Sequence, residues 1–324
     1  MANFNLNGIE ENPTQPQSET ISSDSNSNSE SMELDNSSSL TENEGINEIG
    51  MSYEELNDAN KIKVTISDSQ APLVVFFGSP SCGKTMTLIR LTRYLKGKAE
   101  YSVIPDTAFR PNYDTNYKEM CKNFDLMISS EDAAQSTSKI NFMLIKVICN
   151  GKTLCQILEG PGEYYFDPSN PQAKFPKNVN AIINSPNRKI WAIMVEPDQT
   201  NDRMGTEERR CYVDKIRYLK TKMSPRDKVI FVYNKIDVDS QFIVNATTIK
   251  DNLVMKHTKE LYPNIFVNFM NMNPITKWWN PFNFDFVTFQ SGDFQEANDG
   301  KLTYQESSDY YPQKLWKAIL KGIK

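Results

Sequence analysis

The sequence predicts an α/β protein, with a mainly parallel sheet covered by helices on both faces. Three observations carry this. The short apolar runs Leu73–Phe77, Ile190–Val195 and Lys228–Tyr233 have strand length and read as strands buried on both faces. Stretches of helical spacing separate them. A Gly-rich turn stands where the first run meets the first helix.

Met1 to about Asn60 is rich in Ser, Asn and Glu. With so little apolar surface to offset its ordering entropy, residues 1–60 are predicted to be a disordered tail. Residues 61–324 are predicted to form one domain. Lys63–Ile66 reads as a short leading strand and Leu73–Phe77 as a buried one. Thr85–Leu95 reads as a helix through Leu88, Leu91 and Leu95. Tyr101–Pro105 suits a short strand and Tyr113–Ile128 a helix. Ile140–Cys149 and Thr153–Leu158 flank Asn150-Gly151, a favoured two-residue turn, and predict a hairpin that gives the sheet one antiparallel edge strand. Ile190–Val195 follows as a strand, Thr206–Met223 as a charged amphipathic helix and Lys228–Tyr233 as a strand. Ile249–Leu261 reads as a helix, Phe284–Phe289 alternates like a strand, and Tyr311–Ile323 closes the chain as a helix.

Charge is unevenly placed. Met1–Asn60 holds thirteen Asp and Glu and no Lys or Arg, so a chain of net −5 has a body of −5 − (−13) = +8. A basic body suits an anionic ligand: nucleotide phosphate, nucleic acid or a membrane surface. No nucleic-acid-reading motif supports the second. No segment approaches the ~20 apolar residues of a membrane span, and signals for secretion or lipidation are not seen. Five cysteines without a C-x-x-C pair read as reduced thiols, which predicts a cytoplasmic protein. His257 is the only histidine, which argues against a multi-His metal site or a Ser-His-Asp hydrolase.

Gly78-Ser79-Pro80-Ser81-Cys82-Gly83-Lys84-Thr85 fits G-x-x-x-x-G-K-[ST] in full, between an apolar strand and a helix. The backbone N–H groups of such a loop, with the helix N-terminus behind it, suit phosphate oxygens. Lys84 would bridge the β- and γ-phosphates, and Thr85 would ligate Mg²⁺ through its hydroxyl. Cys82 reads as a small filler in the loop. Asn234-Lys235-Ile236-Asp237 ends the strand Lys228–Tyr233 and speaks to the base. Asp237 can accept hydrogen bonds from guanine N1–H and N2–H₂. Adenine has an acceptor at N1 and no amino group at C2, and such a mismatch is worth about 10⁴–10⁵ in discrimination. The Lys235 stem would lie along the base, and Asn234 would tie this loop to the phosphate loop.

Together, Gly78–Thr85 and Asn234–Asp237 resemble the first and fourth motifs of P-loop GTPases of the Ras-like, translation-factor class, over roughly residues 72–324. The resemblance implies a six-stranded sheet, GTP/GDP and Mg²⁺ as cofactors, and a protein effector or regulator as partner. In that family the third motif is D-x-x-G. Here the place reads Glu159-Gly160-Pro161-Gly162, so Glu159 would hold Mg²⁺ through water and Gly162 would donate its N–H to the γ-phosphate. Glu163 stands where a water-orienting Gln is usual, which implies slow hydrolysis. Thr137 is the choice for the single Thr of the second motif, as a metal ligand and catalytic residue, with Thr107 and Thr115 as rivals. Ser291, in Gln290-Ser291-Gly292, is the choice for the fifth motif, with Met270-Asn271-Met272 as rival. An insertion around residues 100–136, the Pro161-Gly162-Glu163 sequence and the ending around Trp316 resemble bacterial double-GTPase proteins of conflict systems. Two other functions stay open: a GTP-binding scaffold with little hydrolysis, and a P-loop ATPase or nucleotide kinase, which leaves Asn234–Asp237 unexplained. Trp278, Trp279, Phe282 and Phe284 form an aromatic cluster that suits either core packing or partner docking.

Overall fold

The computed structural model describes residues 53–129, 142–197, 205–245, 248–279, 281–296 and 302–324. A seven-stranded sheet is the centre of the protein, in the order β2-β3-β4-β1-β5-β6-β9. The strands are β1 (Leu73–Phe77), β2 (Tyr101–Pro105), β3 (Met143–Cys149), β4 (Lys152–Glu159), β5 (Lys189–Val195), β6 (Lys228–Tyr233) and β9 (Asp285–Thr288). A small β7–β8 ladder (Ile243–Asn245 with Thr248–Ile249) lies outside it, as does the hairpin of β10 (Gly292–Glu296) and β11 (Leu302–Glu306).

β1 is buried at every position and pairs in parallel with β4 and β5. β5–β6 and β6–β9 are parallel too. Only β3 runs against the rest, antiparallel to both neighbours. Two expectations are therefore corrected. The sheet has seven strands, not six. Its antiparallel strand is not at the edge, because β2 pairs along the outer side of β3 from Tyr101–Cys149 to Pro105–Ile145. The β3–β4 turn is the expected one: Asn150 and Gly151 adopt φ of 51° and 74°, the left-handed region that this two-residue turn requires.

Helices cover both faces. α1 (Tyr53–Asn57) opens the described chain. α2 (Lys84–Lys96) packs beside the closing helix α10 (Tyr310–Ile323), whose Gly322 lies against Ile190 of β5. On the other face Tyr212 of α7 (Thr206–Lys222) stacks on Phe77 at a centroid distance of 6.1 Å, among Tyr165, Phe175 and Trp191. α8 (Asp251–Leu261) packs against β9. Shorter helices are α3 (Thr115–Lys122), α4 (Phe124–Ser129), α5 (Gly162–Tyr165), α6 (Lys177–Asn184) and α9 (Pro274–Trp279).

Other boundaries moved for physical reasons. Lys63–Ile66 is not a strand. Its N–H groups find partners elsewhere: Lys63 donates to Glu55 Oε1 at 3.0 Å and Thr65 to the Phe109 carbonyl at 2.8 Å. The helix read over Tyr113–Ile128 is two, α3 and α4, divided at Asn123, which caps α3. Glu55 of α1 is buried with Arg110 and Asp114. Arg110 pairs with Glu55 at 3.2 Å and with Asp114 at 2.7 Å, and donates to the Lys63 carbonyl at 2.5 Å. Among the described residues no helix is long and apolar enough to cross a membrane.

Candidate nucleotide-binding site

Parallel strands deliver their following loops to one end of a sheet, and ligands sit in the crevice there. Here those loops follow β1 (Gly78–Gly83), β4 (Gly160–Pro161), β5 (from Glu196), β6 (Asn234–Asp237) and β9 (Gln290–Ser291). The topology therefore brings the first, third, fourth and candidate fifth motifs to one rim.

The loop after β1 turns twice through left-handed backbone, at Ser81 (φ 63°) and Gly83 (φ 89°). Alternation of this kind curls successive N–H groups into an anion-binding concavity. Gly83 caps α2, so the helix begins at Lys84. Gly78 has no room for a side chain, since a Cβ there would come within 2.6 Å of Cys82 Sγ. Cys82 is buried, and burial pushes its thiol pKa up.

Lys84 is buried, and its ammonium is held by the loop itself. Nζ donates to the Ser79 carbonyl at 2.7 Å and to the Gly78 carbonyl at 3.2 Å. Its third contact is a weak one, to Cys82 Sγ at 3.9 Å, so of the three ammonium donors this is the one that can turn to an incoming phosphate oxygen. The Glu159 segment closes on the same loop. A Cβ on Gly162 would sit 2.3 Å from Pro80 N, so only glycine allows this approach. Thr85 Oγ1 donates to Glu159 Oε1 at 3.1 Å.

Glu159 is buried, and its Oε2 has no hydrogen-bond partner. Burial raises its pKa to about 8, against the lowering effects of Lys84 and the Thr85 hydroxyl, while Glu163 raises it further. An orphaned buried carboxylate oxygen beside a hydroxyl fits a hard cation. Mg²⁺ is held by one or two carboxylates or hydroxyls together with nucleotide oxygens and waters. Among the described residues no cluster of three or more His, Cys, Asp or Glu could hold an ion unaided. Thr85 and Glu159 are thus the residues that would hold it, with the nucleotide completing the set.

The raised pKa also has a stability consequence. The folded state keeps a proton on Glu159 where the unfolded chain has lost it. Stability from this group is therefore full below about pH 4.5 and is lost as pH rises through about 8. By pH 7 the loss is of order 3 kcal/mol. Chemical denaturation of the nucleotide-free protein between pH 5 and 8 should show falling stability in the wild type and a nearly flat profile in Glu159→Gln. Parallel profiles would assign the slope to another group.

The base-side loop is clasped to the phosphate loop. Asn234 is buried and its Nδ2 donates to the Cys82 carbonyl at 2.9 Å, while a Cβ on Gly83 would fall 2.2 Å from that same nitrogen. Lys235 is left-handed (φ 54°) and its Nζ donates to Glu196 Oε2 at 2.6 Å. Asp237 comes next at the surface. It is exposed, yet enough protein surrounds the carboxylate for desolvation to raise its pKa, with Asp293 adding to the rise and its own backbone N–H and Lys235 opposing it. The segment after β9 is tied in by Ile236 N–H, which donates to the Phe289 carbonyl at 3.2 Å. Ser291 lies in that segment and is buried, its carbonyl accepting from Tyr304 Oη at 2.8 Å. The rival Met270–Met272 lies on the connection entering β9, at the other end of the strand, and Met272 is exposed.

Glu163 is exposed in the first turn of α5, near enough to Glu159 to raise its pKa. Thr137 lies outside the described residues. Thr107, after β2, and Thr115, at the start of α3, are both exposed. One participant escaped sequence reading. Glu196 is buried just past β5 and holds Lys235. Its signal is a carboxylate at the end of a fully buried strand, in Val195-Glu196-Pro197.

No protein-family model matches the chain, and no curated protein does. Among solved structures the chain is similar to a nucleolar GTP-binding protein 1 from Plasmodium falciparum, at 12% identity and a TM-score of 0.39, over 81% of this chain and 90% of that one. It is similar to Roco2 of Methanosarcina barkeri bound to GDP, at 12% identity and a TM-score of 0.31, over 81% and 51%. A third likeness is the Ski7 GTPase-like domain of S. cerevisiae bound to GDP and inorganic phosphate, at 13% identity and a TM-score of 0.38, over 78% and 50%. The chain thus spans about half the length of the last two. None of the three is described as a double-GTPase protein of a conflict system. These are distant likenesses, and function is read instead from the residues of the site itself.

Proposed function

We propose that the protein is a guanine-nucleotide switch with a P-loop GTPase site. It binds GTP and GDP with Mg²⁺ and hydrolyses GTP slowly. The observation that carries this reading is the clasp of Asn234 on the Cys82 carbonyl. This bond supports a reading in which one nucleotide spans both loops, with the exposed Asp237 facing the base.

In this reading the Gly78–Gly83 backbone cradles the phosphates and Lys84 neutralises charge between the β- and γ-groups. Mg²⁺ would supply Lewis-acid neutralisation of phosphate charge, and Thr85 and Glu159 would hold it, with Thr137 as the proposed third contributor. Gly162 offers its N–H to the γ-phosphate. Ser291 backs the base, while Lys235, held by Glu196, lies along it. Water attacks the γ-phosphorus and the β–γ bridge breaks, leaving GDP and phosphate. Glu163, in the first turn of α5, would orient that water. An ionised Glu accepts a proton but offers no donor to the transferring oxygens, whereas Gln does both, and its charge opposes a triphosphate. Turnover is therefore slow, and rises when a protein partner supplies a cation or an ordering contact.

Labelled GTP should bind at least ~100-fold more tightly than ATP, and Lys84→Ala should abolish tight binding of GTP. Equal affinity for the two nucleotides would sink the guanine assignment. Single-turnover phosphate release should be slow in the wild type and slower still in Glu163→Ala, by roughly tenfold to a hundredfold, with GTP affinity nearly unchanged. Equal rates in the two proteins would remove Glu163 from the mechanism.

A further inference from the structure

The most exposed apolar surface of the described chain lies far from the nucleotide rim. Twelve large hydrophobic side chains are exposed, and Val267, Met272, Ile275, Trp278 and Trp279 come from one stretch between α8 and β9. Met272 is 92% exposed and Trp278 and Trp279 are 78% and 76% exposed. This connection enters β9, whereas the nucleotide loops leave the strands. The two features therefore sit at opposite ends of the sheet.

The stretch is built as a held-out tip. A neck is closed by Asn271 N–H on the Pro281 carbonyl at 2.9 Å, Asn283 N–H on the Phe269 carbonyl at 2.7 Å, and a bridge between Met270 and Phe282. Beneath the neck, Phe231, Phe266, Phe269, Phe282 and Phe284 interlock with centroids 4.8–6.4 Å apart. Above it, α9 carries Ile275, Trp278 and Trp279 into water, the two indoles edge to face at 4.6 Å. An anchored neck that holds bulky apolar groups in water suits a surface that those groups enter.

Charge says what that surface is. From Tyr262 to Phe284 the chain has one charged side chain, Lys277, and no acid. Lys259 lies over the Phe282 ring at 4.9 Å and Lys220 over Phe269 at 5.3 Å. None of these three lysines is ion-paired among the described residues. Tryptophan prefers the interfacial depth of a bilayer. Lysine stems cover apolar surface while their heads reach outward, and each lysine near an anionic membrane adds to the attraction.

We propose that the Met270–Phe282 tip is a peripheral docking site for a bilayer with anionic headgroups. Trp278, Trp279 and Ile275 enter the interface, and Lys277, Lys259 and Lys220 meet the headgroups. The chain lies on the membrane and does not cross it. This proposal is independent of the nucleotide reading, because the tip and the rim share no residue.

The test uses the full chain with vesicles of phosphatidylcholine alone or containing phosphatidylserine. Sedimentation with the phosphatidylserine vesicles, and little with phosphatidylcholine alone, is expected. Trp191 and Trp316 are already buried, so a blue shift of tryptophan emission on binding reports Trp278 and Trp279. The double change Trp278→Ser, Trp279→Ser should lower vesicle partitioning roughly tenfold or more and abolish the shift, with GTP affinity unchanged. Lys277→Glu should weaken binding to phosphatidylserine vesicles and leave the residual phosphatidylcholine signal as it is. Absence of wild-type binding to either vesicle overturns the proposal, as does equal partitioning by the double variant. Concentration-dependent dimerisation lost in the double variant, without vesicle binding, also overturns it and assigns the tip to a second copy of the chain.

Discussion

Asp237→Asn should lower affinity for GTP and GDP by roughly 10²–10³ and create affinity for xanthine nucleotides. The carboxylate can accept from guanine N1–H and N2–H₂, and hydrogen bonds to a charged group are worth about 1.5–3 kcal/mol each. An Asn keeps one acceptor but turns an amide donor toward a donor on the base. Xanthine has an oxygen at C2, which that amide can serve. The site should tolerate the change structurally, because Asp237 is exposed. Titration with labelled GTP and XTP measures both limbs. A variant that keeps wild-type GTP affinity would take Asp237 out of the base site. The raised pKa of Asp237 adds a sign: guanine needs the ionised carboxylate, so GTP affinity in the wild type should fall on acidification, and the Asn variant should lose that dependence.

A chain that starts at Ile62 should be less stable than the full chain by about 3–5 kcal/mol, the usual loss when one partner of a buried ion pair is removed. The cause is Arg110. Its side chain is 1% exposed and is neutralised by Glu55 and Asp114. Removal of Glu55 leaves one carboxylate for a guanidinium that is buried in the intact chain and frees the Lys63 N–H, which the other Glu55 oxygen holds. At roughly 2–4 °C per kcal/mol for a domain of this size, the melting temperature should fall by about 10 °C. A chain that starts at Met51 keeps α1 and should melt like the full chain, while Glu55→Ala should reproduce most of the deficit. An unchanged melting temperature for the Ile62 start would show that Arg110 is served without Glu55. Composition alone does not reveal this, because Glu55 is one of thirteen acids in a polar stretch and nothing local marks it for burial.

What could be read from the sequence was local. β1 and β6 stand where their apolar runs place them, and the Asn150-Gly151 turn fixes its hairpin. The Gly78–Thr85 and Asn234–Asp237 motifs are contiguous, so strand order alone carries them to one rim. What escaped depends on partners distant in sequence. β2 stands where a short strand was expected, but its place along the outer side of β3, across α3 and α4, was not legible. α6 and the β10–β11 hairpin have no strong periodic signal, and neither was expected. Glu196 belongs to no motif and matters only because β5 and β6 end side by side.

The clasp between Asn234 and the Cys82 carbonyl joins the two halves of the proposed nucleotide site through one amide. Two recognition loops that share a bond are not independent receptors. Ordering one restricts the other, so a ligand fragment in either half should prepare its neighbour. Guanosine and pyrophosphate, offered together, should then bind with positive cooperativity, each tightening the other by the same factor. Gly83 and Asn234 also limit each other's replacement, because any side chain at 83 would claim the space of the Asn234 amide. A change at either position is constrained by the residue present at the other, although the two are 151 positions apart in the chain.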